Sequence, residues 1–175
     1  MAEIETIWQG KYITVRKEGT WEYVGRARNI GAAVILAIEE VASGAGDARH
    51  VLLVEQWRVP LKANVLELPA GLIGDESAGE AVEVAARREL EEETGYTAER
   101  IEVIGQFASS PGMVSETFTL VRAHGLRKIH DGGGVEGENI TVHRVALDDV
   151  PAFVAAKRTD GVMIDVKILL LLGLV

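Results

Sequence analysis

The chain has 175 residues, 47% hydrophobic and 26% charged, the balance of one soluble domain large enough to bury a real core. Its 18 basic and 27 acidic residues leave a net charge of −9, which excludes a general binder of nucleic-acid backbones; an anionic ligand would need local arginines or a cation. Without a cysteine there is no disulfide framework, thiolate zinc site or cysteine nucleophile.

Residues 4–28 alternate polar and apolar side chains around Gly19, so two or three strands joined by tight turns are expected. Gly31–Ile38 and His50–Trp57 are apolar, β-branched runs, and the polar, glycine-bearing stretch between them suggests a hairpin. Pro60 and Pro69 then mark irregular chain before a helix. Two more strands are expected at Ile101–Phe107 and Thr117–Ala123, separated by the turn Ser109-Ser110-Pro111-Gly112. Residues 124–139, with three consecutive glycines, read as a mobile loop, and Ile140–Leu147 reads as another strand. Asp148-Asp149-Val150-Pro151 opens a helix to about Arg158, and a last helix is expected over about 161–172. The first twelve residues lack the blocks of a signal peptide, and the apolar run 168–175 is too short to span a bilayer, so a cytoplasmic protein is expected. Strands on both sides of a central helix, with helices at the end, give an α/β sandwich.

That central helix, read from Gly74 to Tyr96, carries a fault in its pattern. Val82, Ala85, Ala86 and Leu90 form one apolar stripe, but its continuation reaches Glu89 and Glu93, with Glu92 at the edge. Carboxylates crowded on a face that should be buried are costly unless paired or bound to a cation. Hard oxygen ligands on one rigid face suit Mg²⁺ or Mn²⁺, whereas a solvated acidic face would not collide with the stripe.

The same residues carry a resemblance. Gly74, five residues, Glu80, seven residues, then Arg88-Glu89-Leu90-Glu91-Glu92-Glu93-Thr94-Gly95-Tyr96 matches the signature of the Nudix hydrolases at every fixed position. The last position is usually aliphatic in that family, so Tyr96 is a mild departure. The resemblance implies an α/β/α sandwich with a mixed central sheet over residues 30–175, preceded by an antiparallel β arm at 1–29 that exchanges between the subunits of a homodimer. It implies Mg²⁺-dependent hydrolysis of a nucleoside diphosphate linked to another moiety, with Glu89, Glu92, Glu93 and the carbonyl of Ala70 as metal ligands. Arg88 and Glu80 would orient the glutamates.

Three further stretches resemble the ADP-ribose pyrophosphatase group within the family. Pro111 lies 16 positions after Gly95, in a turn running from Ser110 to Glu116 like theirs; an ordinary turn would explain the residues but not that position. Leu72, Ser110 and Glu116 are accordingly expected beside the substrate. Glu55-Gln56-Trp57-Arg58 ends a strand as the group's phosphate-contacting motif does, which implicates Arg58. Glu136 and Glu138 follow the glycine-rich loop where the group carries its catalytic glutamate, Glu136 as general base and Glu138 as a second acid. On the arm, Trp21 or Tyr23 would stack on a base and Arg28 would meet a phosphate; sheet packing is the alternative for the aromatics. The implied reaction is hydrolysis of ADP-ribose to AMP and ribose 5-phosphate. The alternatives are a broader nucleoside diphosphate sugar hydrolase, GDP-mannose included, or a domain that senses nucleotides without catalysis.

Overall fold

The computed structural model describes residues 2–28, 30–40, 49–74, 79–135 and 137–170. The alternating N-terminal stretch forms β1 (Ile4–Gln9), β2 (Ile13–Glu18) and β3 (Trp21–Arg26), an antiparallel sheet of its own. Its three strands are held to the rest of the chain at β3: the Val24 amide donates to Met113 O (3.0 Å), and the Ser115 amide donates to Val24 O (2.9 Å). The proline–glycine turn thus serves as the seat of the arm.

The second sheet has eight strands: β4 (Ala32–Glu39), β5 (His50–Arg58), β6 (Ala63–Glu67), β7 (Ala70–Leu72), β8 (Tyr96–Ala108), β9 (Thr117–Lys128), β10 (Thr141–Ala146) and β11 (Met163–Ile164). It is mixed, because β4 runs parallel to β9 and antiparallel to β5 and β7. β4 is apolar without interruption because both of its faces are covered. Val34, Leu36 and Ile38 join one core with Leu53, Leu66 and Leu120, while Ala33, Ile35 and Ala37 join another with Ala86, Leu90 and Val121. Helix α1 (Val82–Thr94) supplies the second core, and α2 (Val150–Thr159) closes the first. Layers of helix, sheet and helix result, as expected.

Along β4 the partner changes. Near its start Ala32, Ala33 and Val34 pair with β7, and near its end Ile38 and Glu39 pair with β5. The far half of β5 pairs with β6 instead, from Val54↔Glu67 to Arg58↔Ala63. This divergence opens the cleft described below.

Several expected elements differ. The helix begins at Val82 rather than Gly74, with residues 75–78 outside the described residues. Between the two prolines lies β6, hidden in the sequence by its flanking turn residues. The strand after residue 117 continues to Lys128, because its partner β8 extends back to Tyr96. The glycines that follow are tied down: the Gly133 amide donates to Glu93 O (2.9 Å) and the Gly134 amide to Glu92 O (3.0 Å), satisfying carbonyls at the end of α1. Gly95 must be glycine here. It takes φ 74°, and a Cβ would lie 2.2 Å from His130 O. The expected last helix is replaced by β11 and a 3₁₀ turn, Val166–Leu170. Parallel pairing of Met163 with Val65 and Ile164 with Leu66 competes successfully with helix there.

α2 is fastened to the sheet by a polar cluster. Lys157 Nζ donates to Glu55 Oε2 (2.7 Å), which also lies 3.0 Å from His143 Nε2. Burial pushes the Glu55 carboxyl up, but the hydrogen bonds from Lys157 and His143 outweigh it and hold the group below its ordinary value. Burial lowers His143, against the pull of Glu55. Both shifts are downward, so the unfolded chain takes up protons first. The stability they confer is present above the unfolded values and is lost as pH falls through the folded ones. Lys157→Met should cost about 1–2 kcal/mol at neutral pH, read as a lower urea midpoint. The Glu55 carboxyl is held below 4.5, so the midpoint of Glu55→Gln should fall less than that of the wild type between pH 4.5 and 2.5. Parallel falls would show that the cluster does not carry the acid sensitivity.

Candidate active site

The last turn of α1 delivers the decisive group. Ala85, Ala86 and Leu90 are buried as the stripe requires, and the next position on that stripe is Glu93, only 5% exposed. Its Oε2 accepts a hydrogen bond from the Ala70 amide (3.0 Å). One amide does not replace the water a carboxylate loses. Burial therefore pushes the Glu93 carboxyl up to about 8, against that hydrogen bond and with further upward pressure from Glu89 and Glu138. Glu89, one turn earlier, packs against Gly71 so closely that a Cβ there would lie 1.8 Å from its carboxyl carbon. The strand β7 must come this near for Ala70 to reach Glu93.

Arg88 organises the other side of the helix. Its Nη1 donates to Glu89 Oε1 (2.8 Å) and Glu92 Oε2 (3.4 Å), and its Nη2 donates to Leu72 O (3.2 Å). Its Nε lies 3.6 Å from Glu80 Oε1, and Glu80 Oε2 accepts from the Gly74 amide (3.0 Å). Arg88 and Glu80 thus tie the helix to β7 and to the turn after it.

Above these groups lies a cleft of about 610 Å³, lined on its acidic side by Glu89, Glu93, Ala70, Gly71 and Glu138. Glu138 is set by the Val135 amide, which donates to its Oε2 (2.9 Å). Glu136 lies outside the described residues. In the same lining, Arg58 makes a two-pronged ion pair with Glu67, Nε to Oε1 (2.6 Å) and Nη2 to Oε2 (2.8 Å). Those hydrogen bonds raise the Arg58 guanidinium further, against its burial. The fork formed by Nε and Nη2 is therefore spent on Glu67, and a phosphate would meet the Nη1 edge. Toward the arm, Arg26 Nε donates to Glu116 Oε1 (2.6 Å), and both line the cleft with Leu72.

The remaining expected residues fall as follows. Ser109 rather than Ser110 lines the cleft, because the Ser110 carbonyl turns to accept the amides of Met113 and Val114. Arg28 faces a neighbouring hollow of about 140 Å³ with Lys11, Tyr12, Arg26, Ile30 and Leu72. Trp21 is 62% exposed on β3, and neither it nor Tyr23 lines the cleft. The Glu92 side chain, 33% exposed, is turned to Arg88 and is not part of the lining. Sequence reasoning missed Arg26, Glu67, Asp165 and Lys167, all in the lining. For Glu67 a signal existed: it stands on a strand in register with Val54, just before Pro69 and Ala70.

Among the described residues no three His, Cys, Asp or Glu side chains already surround one point. The chemistry of the donors nonetheless suits a divalent cation. They are hard oxygens, and Glu93 is a buried carboxylate short of positive charge. Glycine at position 71 leaves room for a neighbouring carboxylate beside the Ala70 backbone.

The chain is 36% identical over 132 residues to a methanol dehydrogenase activator of Bacillus methanolicus, covering 75% of this chain and 66% of that protein. It is 32% identical over 160 residues to an ADP-ribose pyrophosphatase of Bacillus subtilis, 87% of this chain and 81% of that one. A GDP-mannose pyrophosphatase of Yersinia pestis is 37% identical over 130 residues, 70% and 62% respectively. The chain thus spans just under two thirds of the first and third of these relatives. Among solved structures, an ADP compounds hydrolase superposes with a TM-score of 0.63 at 23% identity, over 86% of this chain and 80% of that one, a likeness of fold. The family model for the NUDIX domain matches residues 32–165, which include the glutamate helix, Arg58 and the loop bearing Glu138, and the chain belongs to the Nudix family of hydrolases.

Proposed function

We propose that this protein hydrolyses the pyrophosphate bond of ADP-ribose, giving AMP and ribose 5-phosphate, with Mg²⁺ as its resident cation. The observation that carries the reading is the buried Glu93 carboxylate on Ala70, beside Glu89, in a cleft that Arg58 also lines. Similarity to the Bacillus subtilis ADP-ribose pyrophosphatase over 87% of the chain supports the choice of substrate. A wider range of nucleoside diphosphate sugars is the second reading, favoured by the 37% identity to a GDP-mannose pyrophosphatase.

Glu89, Glu93 and the Ala70 carbonyl would hold the cation, with Glu92 joining once turned from Arg88. When bound it neutralises pyrophosphate charge and acidifies water. The Nη1 edge of Arg58 and the guanidinium of Arg26 orient the two phosphates. Water attacks one phosphorus, the bridging P–O bond breaks, and the electron pair leaves on the other phosphate. Glu138 accepts the proton from the attacking water and passes it to bulk solvent. Glu136, its near neighbour in sequence, is the other candidate for that role. The arm, with Ile4, Ile7, Trp8 and Trp21 more than half exposed, is the proposed homodimer element. Among the described residues no helix is long and apolar enough to cross a membrane.

The direct test is product analysis with ADP-ribose, GDP-mannose and UDP-glucose, with and without chelator. Chelator-sensitive release of AMP mainly from ADP-ribose is expected; similar rates on all three would establish the second reading, and no turnover would refute both. Glu93→Gln should lower kcat by about a hundredfold or more, and full activity would remove the glutamate site. The variant should also change the pH response of the chelated protein. Glu93 is raised from 4.5 to about 8 on folding, so its contribution is fully present below the unfolded value and is lost as pH rises through the folded one. In chelator, wild-type Tm should drop between pH 5 and 8.5 more than that of Glu93→Gln; equal drops would contradict the assigned burial cost. Gly71→Ala should cut activity by about tenfold or more by displacing Glu89, and an unaltered rate would show that Glu89 need not stay there.

A further inference from the structure

Asp165 and Lys167 line the same cleft and have no part in the chemistry above. They lie where β11 gives way to the 3₁₀ turn, and the backbone fixes both. The Asp165 amide donates to Leu66 O (3.0 Å), and Ile168, three residues on, is buried in the core. Asp165 Oδ1 accepts from the Lys167 amide (2.7 Å), and Oδ2 accepts from the Lys167 ammonium. That ammonium lies 5.9 Å from the ring centroid of Phe118, which itself stacks on Phe107. Arg58, in the same lining, feels the charges of both Glu93 and Asp165 and so lies near each.

The chemistry of the pair is specific. A lone ammonium would attract a phosphate, but here a carboxylate sits at hydrogen-bond distance, and an arriving phosphate would meet its charge as well. With one of its three protons engaged by Asp165, the ammonium has two left to donate, and the carboxylate oxygens retain acceptor capacity. Donors and acceptors side by side, without net charge and next to an aromatic face, match the hydroxyls of a neutral sugar. We propose that Lys167, held by Asp165, recognises hydroxyls of the second sugar of a nucleoside diphosphate sugar, the one attached through the phosphate beside Arg58, and so determines which such compound is hydrolysed. The inference rests on the pyrophosphatase reading.

Lys167→Met keeps the apolar stem over Phe118 and removes the donors; Lys167→Gln, milder for folding, restores two donors without charge. Steady-state kinetics would be measured with whichever of ADP-ribose and GDP-mannose the wild type turns over faster. The control substrate is the methyl ester of the matching nucleoside diphosphate, which keeps both phosphates and lacks the second sugar. For the sugar substrate, Lys167→Met should raise KM by about tenfold with kcat within about twofold, and Lys167→Gln should recover part of the loss. KM for the methyl ester should not move in either variant. An equal rise on both substrates would place Lys167 on the phosphates and overturn the proposal. Unchanged KM on both, in either variant, would leave the pair as a staple of the C-terminal segment and also overturn it. Failure of the wild type to hydrolyse any sugar nucleotide would instead remove the pyrophosphatase reading, and this subsite with it.

Discussion

The contact between the Glu93 carboxylate and the Ala70 amide constrains everything around it. A carboxylate inside an apolar stripe destabilises the fold by itself, and a single backbone donor offsets only part of the lost hydration. The chain accepts that cost with several compensating features. β7 approaches α1 so closely that only glycine fits opposite Glu89. The end of α1 is capped by Gly95 and by the amides of Gly133 and Gly134, which fix Glu93 and Glu92 from the carbonyl side. Glu138, four residues beyond Gly134, lines the same cleft as Glu89 and Glu93.

Charge in the cleft follows a second rule. Each of the three cations in the described lining is matched by an acid of the lining: Arg26 by Glu116, Arg58 by Glu67 and Lys167 by Asp165. In a chain of net charge −9, pairing keeps long side chains in place without creating a basic patch that would attract polyanions at large. It also spends donors selectively. Arg58 commits its Nε and Nη2 to Glu67, a residue only 5% exposed, which sets the direction of the Nη1 edge proposed to meet a phosphate. The other acids of the lining are Glu89, held by Arg88, together with Glu93 and Glu138, and a cation would be drawn to them.

How much of this was legible in the sequence depended on whether the signal was local. The glutamate helix could be read because its fault lies within one helical period, and β4 because a strand covered on both faces is apolar throughout. The start of α1 could not be placed, since Glu80 and its neighbours have helical character but are held by Gly74 and Arg88 outside the helix. Lys167 was invisible for a different reason. An apolar run with one lysine reads as an amphipathic helix, and only the parallel pairing of Met163 and Ile164 with β6 turns that lysine into the cleft. Arg26 was passed over in favour of Arg28 because strand alternation gives both the same parity, and the pairing with Glu116 depends on a turn ninety residues away. Long-range register, in each case, decided what composition left open.

That long-range register has one more consequence. β3 is seated on the turn at Met113 and Ser115, and the next residue, Glu116, holds Arg26 at the mouth of the cleft. The arm and the part of the cleft lined by Arg26 therefore share a hinge. A displacement of β3 cannot occur without either breaking the Arg26–Glu116 pair or carrying Glu116 along, and Glu116 stands one residue before β9, the parallel partner of β4. The exposed apolar residues of β1 and β2 offer a surface that a second copy of the chain would cover. Covering it would fix the position of β3, and with it Arg26 on that strand. Under the proposed dimer and the proposed role of Arg26, assembly and substrate orientation would be coupled, because the same short segment, residues 113–116, holds both β3 and Arg26.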